Sequence, residues 1–299
     1  MLELVPITDA IGTEVRGIDV AQPISDDDMN RIYRAWIDST ILLIRDQKLT
    51  PEQHIAFTRR FGEVYAYTRS QFNDVEHPEI LVLSNLTRDG KPIGSAYSGR
   101  VWHSDGAYLT NPPVGSMLYA LEVPPVGGNT WYGNMFAAYD ALPKPVKERI
   151  ANLKVIISRV QSRPYNYPDR PAPTAEERAE WVDVAHPVVR VHEVSGRRAL
   201  WVGGNVPWRI EGMAEEESAP LITFLQEFAV QPQFTYCHRW RSGDLLLWDN
   251  RSAMHRATTY DHVAHRRLLH RTTVSHPREA TADRAVAAAG VARGLYADI

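Results

Sequence analysis

The sequence predicts a mainly β protein with flanking helices, built on a barrel or jelly-roll core. Three observations carry this expectation. Short apolar or β-branched runs recur along the chain and are cut by Pro112-Pro113, Pro124-Pro125 and Gly127-Gly128, pairs that mark turns. Leu245 to Trp248 is a continuous apolar run entered through Gly243-Asp244 and left through Asp249-Asn250, the pattern of a buried strand. Arg267 to Val274 alternates, with Arg267, Leu269, Arg271 and Thr273 on one face and Leu268, His270, Thr272 and Val274 on the other.

The elements follow in order. Gly12 to Val20 places β-branched residues between glycines and predicts strand and turn. Ser25 to Ser39 carries Met29, Ile32, Tyr33, Trp36 and Ile37 at helical spacing, with Ser25 as N-cap and three aspartates in the first turn. Ile41 to Ile44 is a short apolar strand. Thr50 caps a second helix with Pro51 at its first position, and Gly62 is expected to end it. Met135 to Leu142 and Pro145 to Leu153 predict helices, and Glu215 to Ala229 an amphipathic one with Leu221, Phe224, Leu225 and Phe228 inward. Pro164 to Pro173 holds four prolines, so 164–185 is expected to be a loop or lid insertion. The Ala-rich stretch from Ala280 opens a C-terminal arm at 280–299.

Composition limits the function classes. Length alone allows one large domain or two; a single domain, 1–299, is expected, with enough apolar chain for a sizeable core. A formal net charge of −3 without blocks of like charge argues against nucleic-acid or membrane-surface binding. No apolar run has the length of a membrane span, and Met1 to Pro6 lacks the features of a secretory signal. The lone Cys237 cannot form an internal disulfide and is expected to be a small buried hydrophobe, which fits a reducing, cytoplasmic setting. The expected partner is therefore a small molecule.

Candidate chemistry begins at His103-Ser104-Asp105. In a strand, residues two apart share a face, so an imidazole and a carboxylate can aim at one point. A third ligand from elsewhere would complete a facial set that leaves positions open on iron(II). His255, shortly after the buried strand, can look into a barrel mouth, although a hydrogen-bonded turn histidine would look the same. His77-Pro78-Glu79 competes with His103, but Pro78 argues for a loop there. Arg267 and Arg271 share one strand face, an arrangement that needs anionic partners if it is buried; a surface strand with solvated arginines is the alternative.

The order His103-x-Asp105, Gly127-Gly128-Asn129-Thr130, Trp248-Asp249-Asn250-Arg251 with His255, then Arg267 and Arg271, resembles the taurine and phenoxyacetate dioxygenases (TauD/TfdA), which use iron(II) and 2-oxoglutarate. The resemblance runs from Gly12 through Phe57-Thr-Arg-Arg-Phe-Gly62 to Arg271. It implies a double-stranded β-helix (a cupin-like jelly-roll) and Fe(II), 2-oxoglutarate and O₂ as cofactor and co-substrates. It implies His103, Asp105 and His255 as iron ligands and catalytic residues. It also implies that Arg271 and Thr130 hold the distal carboxylate of 2-oxoglutarate and that Arg267 lies near its C1 carboxylate. The implied products are succinate, CO₂ and a hydroxylated, or subsequently cleaved, substrate. Relatives are commonly dimers or tetramers, so a homo-oligomer is expected.

Taurine enzymes place a histidine and a tyrosine shortly after the Phe-Gly-Glu helix end and an asparagine four residues before the first iron ligand. This chain has Tyr67 and Ser70 nearest the first two positions and Gly99 at the third, so its expected substrate is not taurine. Tyr65, Tyr67, Tyr97 and Trp208 are candidates for an apolar or aromatic pocket, with Arg69 or Arg100 meeting a substrate anion. Two other readings stay open at this stage: a non-catalytic binding protein for small acids on the same core, and a zinc hydrolase using the same three ligands.

Overall fold

The computed structural model describes residues 1–66, 72–96, 99–166, 171–203 and 209–277. The N-terminal third comprises strands β1 (Glu3–Pro6) and β2 (Thr13–Arg16), helix α1 (Asp26–Ser39), β3 (Ile41–Ile44), α2 (Pro51–Arg59) and β4 (Gly62–Val64). β5 (Leu81–Ser84), β6 (Thr87–Arg88), β7 (Lys91–Pro92), β8 (Gly115–Glu122) and β9 (Thr130–Asn134) follow, then helices α3 (Met135–Ala141) and α4 (Lys144–Ile150). After β10 (Lys154–Ile157) come α5 (Arg159–Asn166), α6 (Ala175–Glu180), β11 (Val184–Pro187), β12 (Val189–Val191), β13 (Arg198–Leu200) and β14 (Arg209–Ile210). Helix α7 (Glu215–Ala229) leads to β15 (Thr235–His238), β16 (Leu245–Asp249), β17 (Ala253–Ala257) and β18 (Leu268–Pro277).

Two sheets face each other as a jelly-roll. The larger runs β1-β2-β3-β16-β8-β18-β4, with β5 also on β18; the smaller runs β15-β9-β17. Strand parity sorts the side chains into layers. Ile41, Leu43, Leu118, Ala120, Leu246, Trp248 and Leu269 point from the large sheet toward Tyr132 and Ala253 of the small one. The alternate residues Leu42, Ile44, Met117, Tyr119, Leu245, Leu247 and Val274 pack outward against Met29, Ile32, Trp36, Phe57 and Phe61, which belong to or adjoin α1 and α2. The large sheet is therefore covered on both faces, and β3 and residues 245–248 of β16 are apolar throughout. Both covering helices start as their caps dictate: the Ser25 hydroxyl accepts from the Asp28 amide, and Thr50 and Gln53 form a reciprocal capping box.

Several expectations change. α2 stops at Arg59, and Gly62 opens β4 instead of ending the helix. Phe61 is drawn into an edge-to-face contact with Trp36 at 5.4 Å, and Gly62 pairs with Pro277. On α7 the buried stripe is Ser218, Leu221, Ile222, Leu225 and Ala229, whereas Phe224 is 41% exposed. Phe224 lies on the flank of the stripe and rests on Phe228, which packs in turn on Phe234. The proposed lid at 164–185 is partly helical: Pro164 sits inside α5, and Thr174 opens α6 with a second capping box. Cys237 is half-buried on β15. The arm at 280–299 lies outside the described residues. Among the described residues no helix is long and apolar enough to cross a membrane.

His54 is buried between α2 and β18, its Nε2 3.2 Å from the Thr272 hydroxyl. Burial, aided by the nearby His270, pushes its pKa down from 6.5 to about 3. Between those values the unfolded chain takes up a proton that the folded protein refuses, so stability falls as pH falls through this window. His54 alone is expected to withdraw about 2 kcal/mol between pH 7 and pH 5. The urea midpoint of metal-free His54→Gln should fall less steeply over that range than the wild-type midpoint. Parallel slopes would show that His54 is not the buried neutral group described.

Candidate metal and 2-oxoglutarate site

The site lies where segment 99–105 meets the edge of the small sheet. His103 and His255 exchange two backbone hydrogen bonds, His103 N to His255 O at 3.0 Å and His255 N to His103 O at 2.9 Å. This isolated bridge sets the two imidazoles side by side, with ring centroids 4.2 Å apart. Asp105 is not in a strand. Its amide donates to Asn250 Oδ1 at 2.7 Å, and its carbonyl accepts from Asn250 Nδ2 at 2.8 Å. The shared face of His103 and Asp105 therefore comes from one bridge and one side-chain clamp, not from the ladder that the spacing suggested.

The three ligand atoms lie within 4.8 Å of one another. Asp105 Oδ1 is 3.6 Å from His103 Nε2 and 3.9 Å from His255 Nε2. His103 Nδ1 donates to the Val101 carbonyl at 2.8 Å, which leaves the Nε2 lone pair facing the cluster. His255 is held by ring packing instead: Trp248 lies 4.6 Å away and Tyr132 6.0 Å, and its Nδ1 finds no hydrogen-bond partner among the described residues. Burial and then the neighbouring His103 lower the His255 pKa to about 3, so the ring is neutral at physiological pH. Burial would raise the Asp105 pKa, but Arg271, the His103 contact and His255 outweigh it and hold the carboxyl well below the usual range. Two neutral imidazoles and one carboxylate are a donor set that fits a divalent transition metal.

Arg271 Nη1 donates to Asp105 Oδ1 at 3.3 Å. Arg267, one residue before β18, reaches the Gly128 carbonyl at 3.3 Å, and its Nε has no hydrogen-bond partner among the described residues. Of the two arginines, Arg271 is the one in contact with the ligand cluster. Gly128 explains the Gly-Gly pair, since a Cβ there would stand 3.3 Å from Arg267 Nε and φ is +64°. Thr130, two residues on, is buried, and its hydroxyl accepts from the Trp240 indole at 3.0 Å. Beside Arg267 a cleft of about 270 Å³ is lined by Ser95, Arg100, Thr258, Tyr260 and His262 among others, with no acidic side chain.

Of the expected substrate residues, Tyr65 is half-buried just past β4 and donates its amide to Thr273, on the Arg271 face of β18. Tyr67, Arg69, Tyr97 and Trp208 lie outside the described residues. His77 is a loop residue, 3.1 Å from Glu52 and apart from the cluster. Arg266, on the opposite strand face, pairs with Glu122 at 2.6 Å on the surface. Sequence reasoning missed Ser116, whose hydroxyl donates to Asp105 Oδ2 at 2.8 Å. The available signal was a lone hydroxyl in the apolar run 115–120, in phase with inward Leu118.

Comparison with known proteins matches residues 3–273 to the model of the taurine catabolism dioxygenase TauD, TfdA family. The chain belongs to that family. It is 32% identical over 279 residues, covering 90% of this chain and 96% of the relative, to an alpha-ketoglutarate-dependent 2,4-dichlorophenoxyacetate dioxygenase of Cupriavidus pinatubonensis. It is 31% identical over 295 residues to an (S)-phenoxypropionate/alpha-ketoglutarate-dioxygenase of Sphingobium herbicidovorans, covering 94% and 97% of the two chains. Among solved structures it is similar to AAD-2 in complex with Mn(II) and N-oxalylglycine, with TM-score 0.80, 30% identity and coverage of 94% and 99%. As a TauD/TfdA protein it is a 2-oxoglutarate-dependent dioxygenase, which decides against the zinc-hydrolase and non-catalytic readings.

His255→Ala removes one imidazole and leaves Asp105 facing His103 alone. Calorimetric titration of the metal-free protein with Mn(II) should show affinity reduced by at least about 100-fold. Wild-type affinity in this variant would exclude the cluster as the metal site.

Proposed function

We propose that His103, Asp105 and His255 hold iron(II), and that Arg271 and Arg267 receive the two ends of 2-oxoglutarate for hydroxylation of a small anionic or aromatic substrate other than taurine. The observation that carries this is the convergence of two imidazole Nε2 atoms and one carboxylate oxygen beside two inward arginines. When bound, iron(II) and 2-oxoglutarate activate O₂, and 2-oxoglutarate leaves as succinate and CO₂ while one oxygen atom enters a substrate C–H bond.

The chain's own part is charge placement and orientation. Arg271 lies against Asp105, so it meets the C1 carboxylate at the metal end. Arg267 lies farther along the same strand face, beside Gly128 and near Thr130. Its Nε, without a hydrogen-bond partner among the described residues, suits the distal carboxylate, and the Thr130 hydroxyl stands near it as a second polar group. The Tyr132 ring, buried between these groups, keeps water out of the space between the sheets. A dicarboxylate there meets acceptor-seeking groups in a site where an unpaired guanidinium N–H is unfavourable.

The substrate assignment rests on the acid-free cleft with Arg100 and His262 in its lining. It is supported by relatives named for phenoxy acids and by one named an alpha-ketoglutarate-dependent sulfate ester dioxygenase, from Pseudomonas putida. Gly99 also argues against a taurine-type clamp: at φ +76° its Cβ would stand 3.2 Å from His103 Cε1.

The arginine assignment has a direct test. On the Mn(II) protein, Arg267→Met should weaken 2-oxoglutarate about 10- to 100-fold and leave 2-oxovalerate, which lacks the distal carboxylate, unchanged. Arg271→Met should weaken both. The opposite pattern would reverse the two roles. Succinate release, dependent on iron(II) and raised by a phenoxy acid but not by taurine, checks the substrate class.

A further inference from the structure

Asp105 is the ligand without a strand to hold it, yet it is the most completely fixed. Asn250 pairs with both its main-chain groups, accepting from the amide and donating to the carbonyl, much as a neighbouring strand would. The same Asn250 amide nitrogen donates to Pro113 O at 2.8 Å, tying segment 105–113 to the end of β16. The Asp105 carboxylate is split between two tasks. Oδ2 accepts from Ser116 at 2.8 Å, whereas Oδ1 faces both imidazoles and Arg271. Ser116 and Asn250 are 0% and 1% exposed, so no water competes for these bonds.

The clamp itself is braced. Asp249 is fully buried and accepts from the Arg251 amide at 2.9 Å, from Arg251 Nε at 2.9 Å and Nη2 at 2.6 Å, and from His192 Nε2 at 2.9 Å. His192 Nδ1 accepts from the Ser195 amide, which sets the tautomer that donates to Asp249. This buried network fixes the turn that presents Asn250. Ser116 stands opposite Trp248 in the adjoining strand, so both halves of the clamp descend from the β16–β8 pair.

We propose that Asn250 and Ser116 are positioning residues that hold Asp105 as a one-oxygen ligand, Asn250 fixing its main chain and Ser116 keeping its second oxygen off the metal. The proposal rests on the reading of His103, Asp105 and His255 as the metal set. A carboxylate bound through one oxygen leaves three of six positions open, enough for a chelating 2-oxo acid and O₂. Without the Ser116 hydroxyl, Oδ2 is free to turn toward the metal and compete for the chelate's place.

The two residues should therefore fail differently. Calorimetry on metal-free protein with Mn(II), then with 2-oxoglutarate on the Mn(II) form, separates them without turnover. Asn250→Ala should lower Mn(II) affinity about 10- to 100-fold. Ser116→Ala should keep Mn(II) affinity within about threefold but weaken 2-oxoglutarate about 10-fold. Ser116→Thr, which keeps the hydroxyl, should restore it, and thermal melts of the metal-free proteins should show no parallel trend. Asp105→Ala is the control. If it binds Mn(II) like the wild type, the metal-set reading itself fails. If it loses Mn(II) while Ser116→Ala binds metal and 2-oxoglutarate normally, the clamp alone is overturned. That second comparison decides the matter even if Asn250→Ala does not fold.

Discussion

The two backbone hydrogen bonds between His103 and His255 join a loop to a sheet edge at the one place where chemistry requires it. Hydrogen bonds of this kind contribute modestly to stability, about 1 kcal/mol each, but here they fix register. A one-residue slip of β17 against segment 99–105 would turn His255 away from His103. Everything else at the site depends on that register: Asp105 follows His103 by two residues, and Asn250 precedes His255 by five on a turn locked by Asp249. Sheet parity supplies the remaining groups. Arg271, Ser116, Thr130 and Tyr132 lie on inward-facing strand positions, in phase with Leu269, Leu118 and Ala253 of the inner core, and Arg267 stands one residue before β18.

Charge is the second constraint. The interior holds Asp105 with Arg271, Asp249 with Arg251 and His192, and Asp244 with Arg45 and His238. Removing such groups from water is costly, and each set here is paired and hydrogen-bonded. The pairs differ in how far they are satisfied. Asp249 accepts four donors, whereas Asp105 turns one oxygen toward the histidines and, among the described residues, Arg267 Nε has no hydrogen-bond partner.

Much of this was legible in the sequence. Parity in Arg267 to Val274 and the apolar run 245–248 described two strands of the large sheet, and caps at Ser25 and Thr50 placed both outer helices. The three ligand candidates were nameable from spacing and family resemblance. What escaped was tertiary. His-x-Asp cannot reveal that Asp105 leaves the strand, or that an asparagine far along the chain takes over its backbone bonds. A buried serine reads as filler until the carboxylate above it is seen. Which of the two arginines reaches Asp105 is a matter of side-chain direction that the two-residue repeat does not carry. Phe224 was misplaced because the α7 stripe is narrower than its apolar content, and Phe61 moved into the aromatic cluster beyond the helix end.

The central claim is that one metal and one dicarboxylate occupy the space between His103, His255, Asp105 and the two arginines. A crystal structure with Mn(II) and N-oxalylglycine, read by anomalous scattering at the manganese edge, tests it most directly. A single strong peak is expected within bonding distance of His103 Nε2, His255 Nε2 and only one Asp105 oxygen, with the distal carboxylate of the analogue on Arg267. A metal bound elsewhere, or an analogue whose distal carboxylate lies on Arg271, would contradict it.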